Sequence, residues 1–297
     1  MNTLPLLPCY LNGEYTDLPN AKISVMDRGF IFGDGIYEVL PVYGGTLFRF
    51  DQHMTRMQRS LAEVRIKNPM TSTQWAQVAQ RLIDSYAQAN NSKVEDTLQL
   101  IYMQITRGVA MREHTMPANI TPTVFVMASP MTLASSAQRS AGVACITADD
   151  FRWKMAHIKS ISLLGAVLAR QMSFDVGATE TIMFRDDCLS EAAASNVWVV
   201  KNGTMMGPPK DHLVLEGIRY GLMEELCRAT GIGFELRRIS RAEVLGADEV
   251  LLSSATKEVL PVTTLDGSPV GNGQPGPVYA KLYAAYQKAI EKAKHPK

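Results

Sequence analysis

The chain has few cysteines, almost no net charge and no long hydrophobic run. Its four cysteines stand far apart in 297 residues and form no CxxC or Cys/His pair; they are Cys9, Cys145, Cys188 and Cys227. This spacing argues against a disulfide framework and against a metal site, and it predicts reduced thiols. Because 30 basic residues nearly balance 29 acidic ones, neither a nucleic acid nor a membrane surface is expected as the main partner.

The sequence also lacks the marks of a secreted or membrane-spanning chain. The N-terminal stretch MNTLPLLPCYLNGEY has no basic start and no continuous apolar segment, so we expect no signal peptide and a cytoplasmic location. No apolar run approaches the roughly 20 residues that a spanning helix needs. Since 46% of the residues are hydrophobic, a chain of this length predicts about two domains with packed cores.

The first third of the chain alternates short strands with tight turns. Asn12-Gly13 and Gly44-Gly45 each stand between strand-like residues and predict two hairpins. Apolar residues at helical or alternating spacing predict further elements. These are helices near 54–64 and 73–89, and strands at 98–106 and 123–128. Strands with helices packed to one side give an α+β pattern.

A small, polar stretch without strong periodicity at residues 130–141 is the predicted linker. It would separate a smaller N-terminal domain, residues 1–129, from a larger domain at 142–297. The larger domain is predicted to mix strands and helices. Its strands are expected at 143–147, 181–184, 196–200 and 249–252, and its helices at 162–176, from about 217, and at 278–294.

Two charged residues stand out because of their neighbours. Lys159 lies at the mouth of an apolar run, and Glu191 follows 32 positions later in Ser-Glu-Ala. By composition alone, either residue is more often a solvated surface or turn residue, and Lys154 is a nearby rival for the lysine. However, the segments IKSISLLGAVLARQ, SEAAASNVWVVKNG and VLEGIRYG resemble the second domain of the class IV (fold type IV) aminotransferases.

This resemblance runs from about Asn12 to about Tyr286. It implies a two-domain α+β fold, with a smaller N-terminal α/β domain and a larger, β-barrel-like C-terminal α/β domain. It also implies a pyridoxal 5'-phosphate cofactor and a homodimer with its active site at the domain and subunit interface. Lys159 would be the catalytic Schiff-base lysine that moves the α-proton, and Glu191 would keep the pyridine nitrogen protonated.

Further cofactor-binding residues follow from the same resemblance. A helix N-terminus at Gly217 suits a phosphate, and Arg56 matches the family's phosphate arginine, although alone it reads equally well as a solvated helix residue. The predicted cofactor-binding set is Lys159, Glu191, Arg56, Leu215, Gly217, Ile218, Arg219, Ser195, Asn196, Ser254 and Ala255. The chain departs from its relatives at Ala193 and Ala194, where serine is often found, and at Arg219 and Ala255, where threonine is usual.

On the substrate side, Arg112 and His114 lie in a segment that resembles the D-amino-acid aminotransferases. There an Arg-x-His pair, reaching in from the partner subunit, traps the substrate carboxylate together with a tyrosine that matches Tyr37. Val39, on the same strand face, completes the predicted substrate-binding set. The plain alternative is an exposed loop without a role. Pro41 replaces a lysine seen in some relatives, so side-chain preference could differ.

Together these features predict ping-pong transamination between D-amino acids, such as D-alanine or D-glutamate, and 2-oxo acids. Aminodeoxychorismate lyase, branched-chain and (R)-amine transaminase activities on the same fold are the alternatives. Leu164 stands where branched-chain relatives usually carry tyrosine, which argues against that branch. A catalytically silent cofactor-binding protein is the alternative of a different class, but the retention of both Lys159 and Glu191 argues against it.

Overall fold

A computed structural model describes residues 4–294 of the chain, and these form two compact units. The first unit holds residues 4–132, Ile158–Leu163 and 293–294, and the second holds Leu133–His157 and Leu164–Lys292. Lys159 thus belongs to the first unit, although the segments on both sides of it belong to the second. None of the helices in the described residues is both long and apolar enough to cross a membrane.

The first unit is a six-stranded antiparallel sheet with helices. Its strands are β1 (Pro8–Leu11), β2 (Glu14–Asp17), β3 (Gly35–Tyr43), β4 (Thr46–Leu47), β5 (Leu98–Thr106) and β6 (Thr123–Pro130), and its helices are α1 (Arg28–Phe32), α2 (Phe50–Glu63) and α3 (Ser72–Ala89). The strand order is β2-β1-β6-β5-β3-β4. Both predicted hairpins are confirmed, and their turn residues have the positive φ angles that such turns require.

Helices α2 and α3 bury their apolar stripes against one face of this sheet. Helix α3 begins at a capping box, in which Thr71 and Gln74 satisfy each other's backbone N–H groups. Its Trp75 and Leu82 pack with Met57 of α2 in the core. Because side chains alternate along a strand, the β3 residues between the core positions emerge on the opposite face. Tyr37 and Val39 are such residues, and both are half-buried.

The second unit is built on a nine-stranded mixed sheet that curls into a half-barrel. Its strands are β7 (Val143–Asp149), β8 (Glu180–Arg185), β9 (Cys188–Ala192), β10 (Asn196–Lys201), β11 (Thr204–Gly207), β12 (Gly233–Leu236), β13 (Glu249–Ser254), β14 (Glu258–Leu265) and β15 (Ser268–Pro269). The order is β12-β11-β10-β13-β14-β7-β8-β9, with β15 beside β14. The helices are α4 (Ser136–Ala141), α5 (Leu164–Asp175), α6 (Ile218–Thr230), α7 (Arg241–Leu245) and α8 (Pro277–Lys294).

Two features of the second unit differ from the sequence pattern. Between the predicted strands β8 and β10 the chain forms an additional strand, β9; β8 pairs with β9 and β7, while β10 pairs with β11 and β13. Strand β9 was missed because its sequence, CLSEA, is short and half polar. The predicted linker at 130–141 contains helix α4, which starts at a capping box of Ser135 and Gln138. The two-domain division at that stretch stays a prediction.

Leu82→Ala tests the core of the first unit. Leu82 is 1% exposed, so its truncation leaves a cavity and should lower the free energy of unfolding by about 2–5 kcal/mol. The measurement is urea unfolding followed by circular dichroism. Gln77→Ala, at an exposed position of the same helix, is the control and should change stability by less than about 0.5 kcal/mol. Equal effects of the two substitutions would contradict this packing.

Candidate active site

Lys159 is held on the edge of strand β3. The backbone N–H of Tyr37 donates to the Lys159 carbonyl at 3.0 Å, and Ser160 forms a bridge with Ile36. On the other side, the Lys159 N–H donates to Ser60 Oγ of helix α2 at 3.3 Å. The ammonium lies 4.1 Å from the centre of the Tyr37 ring, a cation–π contact. The predicted catalytic lysine and the predicted substrate tyrosine are therefore neighbours.

The open face of the sheet continues from Tyr37 into a row of half-buried side chains. Tyr102 of β5 stacks on Tyr37 with ring centres 5.9 Å apart and donates its hydroxyl to Gln104 Oε1 at 2.7 Å. In the strand register, Val39 stands opposite Tyr102. Burial, with the nearby Tyr37, raises the pKa of Tyr102 to about 12, so this phenol stays neutral. Sequence reasoning missed Tyr102 and Gln104, although alternation along β5 would have placed them together.

Arg56 lies on the helix-covered side of the same sheet, in a buried cluster with Glu38 and His53. Its Nε and Nη2 donate to the two oxygens of Glu38, each at 2.7 Å, and His53 Nδ1 lies 2.7 Å from Glu38 Oε2. Burial by itself would raise the pKa of Glu38, but Arg56 and His53 hold it well below its usual range. The carboxylate thus fixes the guanidinium rigidly. The predicted phosphate contact of Arg56 stays a prediction.

Arg112 and His114 lie in the exposed loop between β5 and β6. The Arg112 guanidinium and the His114 ring lie 5.6 Å and 5.5 Å from the ring of Phe32. Arg28 also covers that ring, at 4.7 Å, and its guanidinium donates to the carbonyl of Glu113. Within the described residues of one chain, no hydrogen bond or ring contact joins Arg112 or His114 to Tyr37. The predicted carboxylate clamp of Arg112, His114 and Tyr37 stays a prediction.

In the second unit, Glu191 lies next to the end of strand β9 and is a buried carboxylate with three partners. Arg152 Nη1 donates to Oε1 at 2.8 Å, and Oε2 accepts from Asn196 Nδ2 at 3.3 Å and from the Leu215 N–H at 3.2 Å. Burial raises the pKa of Glu191, and the charge and hydrogen bonds of Arg152 oppose that rise. Arg152 was not singled out from the sequence. The salt bridge that identifies it spans 39 positions, so no local pattern shows it.

Helix α6 begins next to this carboxylate, at Gly217. A glycine offers no side chain to cap the helix, so the first backbone N–H groups, at Ile218 and Arg219, lack an intrahelical partner and suit an anion. A Cβ at Gly217 would overlap the side-chain oxygen of Asn196, whose Nδ2 donates to the Leu215 carbonyl at 2.9 Å. The glycine is therefore required for Asn196 to join Glu191 to the helix N-terminus.

The side chain of Arg219 links helix α6 to the turn after strand β13. Its Nε donates to the Tyr286 hydroxyl at 3.1 Å, and its Nη2 donates to the Ala255 carbonyl at 3.4 Å. In that turn, Ser254 Oγ accepts from the Lys257 N–H at 3.1 Å. Arg219 is buried, and its guanidinium joins the start of helix α6 to the turn at Ala255; its predicted role at the phosphate stays a prediction.

The chemistry of these donors fits a phosphorylated pyridine. The uncapped start of α6 and the turn at 254–257 supply polar groups for a phosphate. Glu191, whose carboxylate accepts a hydrogen bond from Arg152, supplies the acidic partner for a ring nitrogen. Ser195 is buried beside Asn196, whereas Ala193 and Ala194 bring no hydroxyl. The residues of the second unit are thus suited to the cofactor that the resemblance implies.

Comparisons with known proteins place this chain. The family model described as "Amino-transferase class IV" matches residues 35–265. The chain belongs to the class IV aminotransferases. It is 35% identical to the D-alanine aminotransferase of Bacillus licheniformis over 94% of this chain and 95% of that protein. With the D-alanine aminotransferase of Staphylococcus haemolyticus it shares 34% identity over 95% of this chain and 97% of that protein.

Solved structures of this fold are also similar. A branched-chain amino acid aminotransferase of Escherichia coli matches with a TM-score of 0.86 and 24% identity, over 96% of this chain and 94% of that one. The branched-chain aminotransferase of the archaeon Thermoproteus uzoniensis, solved with norvaline, matches with a TM-score of 0.84 and 22% identity, over 96% and 95%. At these identities the likeness shows the fold alone, and it confirms the predicted α+β, fold type IV architecture.

The predicted family, reaction class and cofactor are thereby confirmed: this is a pyridoxal phosphate-dependent aminotransferase. The names of its D-alanine aminotransferase relatives agree with the predicted D-amino-acid branch. The aminotransferase places Lys159, Tyr37 and Val39 together in the first unit. It places Glu191, Ser195, Asn196, Leu215, Gly217, Ile218, Arg219, Ser254 and Ala255 in the second.

Gly217→Ala should weaken cofactor binding. The new methyl group displaces Asn196, which loosens Glu191 and the start of helix α6 together. We expect the dissociation constant of pyridoxal phosphate to rise by about tenfold or more, as a loss of about 1.4 kcal/mol would produce. The measurement is a titration of the apoenzyme followed by absorbance. Gly246→Ala, where the nearest atom to a new Cβ is at 3.3 Å, is the control. Unchanged affinity in Gly217→Ala would contradict the role of this glycine.

Glu38→Gln should destabilise the enzyme in a pH-dependent way. At neutral pH it removes the carboxylate charge that the buried Arg56 guanidinium contacts, which costs about 3–5 kcal/mol. Because the pKa of Glu38 is lowered on folding, its stabilising effect is complete above the unfolded value near 4.5 and is lost as the pH falls. The difference from the wild type should therefore shrink below about pH 4.5 in urea unfolding. Exposed Glu14→Gln should show no such trend, and a pH-independent penalty in Glu38→Gln would be inconsistent with this pair.

Proposed function

We propose that this aminotransferase moves amino groups between D-amino acids of the D-alanine or D-glutamate type and 2-oxo acids in a ping-pong cycle. The observation that carries the proposal is the fixed contact between the Lys159 ammonium and the Tyr37 ring. It brings a proton-transfer group next to a phenol that suits a carboxylate. The D-alanine aminotransferase relatives, at 33–35% identity, support the choice of D-amino acids.

Lys159 is the proposed catalytic residue. Pyridoxal phosphate, when bound, supplies the electron sink that makes the substrate α-proton acidic. The lysine amine takes the proton from the substrate Cα in the first half of the cycle and gives a proton back to Cα in the second half. The amine must be neutral when it accepts the proton. Its backbone is hydrogen-bonded to β3 and to Ser60, which limits the positions that the amine can reach.

Glu191 and the phosphate donors are the proposed cofactor ligands. Glu191 would keep the proton on the pyridine nitrogen, and the hydrogen bond from Arg152 holds its carboxylate in place. Leu215 is proposed to pack against the ring, and Ser195 and Asn196 hold their segment beside it. The proposed phosphate ligands are the backbone N–H groups of Ile218 and Arg219, the Ser254–Ala255 turn and Arg56 from the first unit.

The substrate carboxylate is proposed to be bound by Tyr37 of one protomer and by Arg112 and His114 of its partner. Two exposed apolar surfaces support a homodimer, one around the Arg-x-His loop and one on helix α5. Around the Arg-x-His loop, large apolar side chains are exposed, among them Met111 at 82% and Phe30 at 70%. A monomer seldom leaves such a cluster in water. Val39, Tyr102 and Gln104 would then contact the substrate side chain.

Helix α5 shows a second uncovered apolar surface. Two of its residues, Ala169 and Ser173, are buried, while its large apolar side chains face outward. The exposed residues are Leu164, Val167, Leu168, Met172 and Phe174. A second copy of this chain is the proposed cover for this helix. We also propose a cytoplasmic location, which the four free cysteines support.

Mixing the enzyme with D-alanine and, separately, with L-alanine tests the reaction. We expect D-alanine alone to bleach the visible absorption band of the bound cofactor. Lys159→Ala should abolish this response because it removes the group that moves the proton, and Lys154→Ala should leave it intact. Bleaching by L-alanine alone would contradict the D-amino-acid assignment and keep the aminotransferase. A response that persists in Lys159→Ala would contradict the catalytic role of the lysine.

Subunit complementation tests the shared clamp. Arg112→Ala should raise the KM for D-alanine by at least about tenfold, since it removes a charged hydrogen-bonding partner of the carboxylate. If the arginine acts in the partner's site, mixed dimers of Lys159→Ala and Arg112→Ala chains contain one intact site and regain activity. Mixtures of Lys159→Ala with Lys67→Ala, an exposed control, set the scale. No recovery after the chains are exchanged would place Arg112 in its own chain's site or outside any site.

A further inference from the structure

A buried carboxylate in the second unit joins two cofactor-binding segments that are far apart in sequence. Glu180, on strand β8, is fully buried, and its Oε1 accepts from Lys257 Nζ at 2.8 Å and from Ser195 Oγ at 2.9 Å. Lys257 belongs to the turn that also carries Ser254 and Ala255. Ser195 precedes Asn196, which binds Glu191. One oxygen atom therefore ties the turn at 254–257 to the strand that supports the pyridine-nitrogen carboxylate.

The connection continues to the start of helix α6. Asn196 Nδ2 donates both to Glu191 Oε2 and to the Leu215 carbonyl, and Gly217 begins the helix two residues later. From Lys257 to Leu215, every link but the covalent one between Ser195 and Asn196 is a hydrogen bond or an ion pair. The proposed phosphate turn, the acidic partner of the ring nitrogen and the helix N-terminus thus form one connected structure.

Removing the charge of either Glu180 or Lys257 leaves the other charge without its partner. Glu180 Oε2 has no hydrogen-bond partner among the described residues, so the ammonium of Lys257 is the charged group that contacts the carboxylate. Lys257 is 19% exposed at its side chain and Glu180 is 0% exposed, which makes the pair far less screened than a surface ion pair. Loss of either partner frees the turn from its anchor on β8.

We propose that Lys257 and Glu180 are positioning residues that fix the phosphate-binding turn and couple it to Ser195 and Asn196. The anchored turn presents its backbone and Ser254 in one conformation, so less order is lost when the phosphate binds. The inference rests on the proposed placement of the cofactor phosphate at this turn.

The test compares the binding of pyridoxal phosphate to the apoenzymes of Lys257→Met, Glu180→Gln, the double variant and Lys257→Arg. Lys201→Met is the matched control, because Lys201 pairs with Asp248 at 2.9 Å on the exposed surface of the same unit. Each apoenzyme is titrated with pyridoxal phosphate, and the ³¹P NMR signal of the bound phosphate is recorded. Thermal melting of each apoenzyme establishes that it is folded.

We expect both single variants to raise the dissociation constant by about tenfold or more, with a shifted ³¹P signal. The double variant should bind no more weakly than the weaker single variant, because the two residues act as one unit. Lys257→Arg should bind pyridoxal phosphate more tightly than Lys257→Met but less tightly than the wild type. Lys201→Met should match the wild type. Affinities within about twofold of the wild type and an unchanged ³¹P signal would overturn the proposal, as would independent, additive losses in the double variant.

The same preparations separate this inference from the proposed function. Wild-type enzyme that binds pyridoxal phosphate but gives no reaction with D-alanine would contradict the proposed substrate and leave the affinity comparison valid. Wild-type reaction with D-alanine together with wild-type affinity in Lys257→Met would contradict the coupling alone.

Discussion

A buried carboxylate needs a cation or hydrogen bonds to offset its lost hydration, and this enzyme pairs several buried carboxylates with cations where its chemistry is proposed. Glu38 pairs with Arg56, Glu191 with Arg152, Glu180 with Lys257, and Glu258 with Arg139. Breaking such a pair is costly because the remaining charge has no water around it. Each pair therefore fixes the position of both side chains more firmly than a surface ion pair would. These fixed charges hold the proposed active-site groups in place.

The turn that follows strand β13 shows how these pairs act together. Glu258 has a left-handed backbone conformation, with φ of 57°, which a residue with a side chain seldom adopts without support. Its carboxylate accepts from Arg139 of α4 and from Gln287 of α8. With Arg219 on the Ala255 carbonyl and Lys257 on Glu180, the turn is held by three cationic side chains. Backbone donors that are fixed in advance bind an anion at lower entropic cost.

The exposed apolar surfaces at the Arg-x-His loop and on helix α5 bear on how the proposed substrate site is completed. Arg112 and His114 surround Phe32 in their own chain and lie in a loop whose large apolar residues are exposed. A carboxylate clamp and a Schiff-base lysine must act on the same substrate. Assembly of two chains is the proposed means of bringing them together. The exposed apolar face of α5 is consistent with the same assembly.

The sequence by itself determined the elements that rest on local rules. Asn12-Gly13 and Gly44-Gly45 placed the hairpins, apolar spacing placed α2 and α3, and the segment around Lys159 identified the family. Contacts across 39 or 77 positions, such as Arg152 with Glu191 or Lys257 with Glu180, leave no periodic trace in the chain. Strand β9 and the Tyr102–Gln104 pair likewise depended on strand partners and register. Only the folded chain decides which charges meet, because burial and pairing are properties of residues brought together from distant segments.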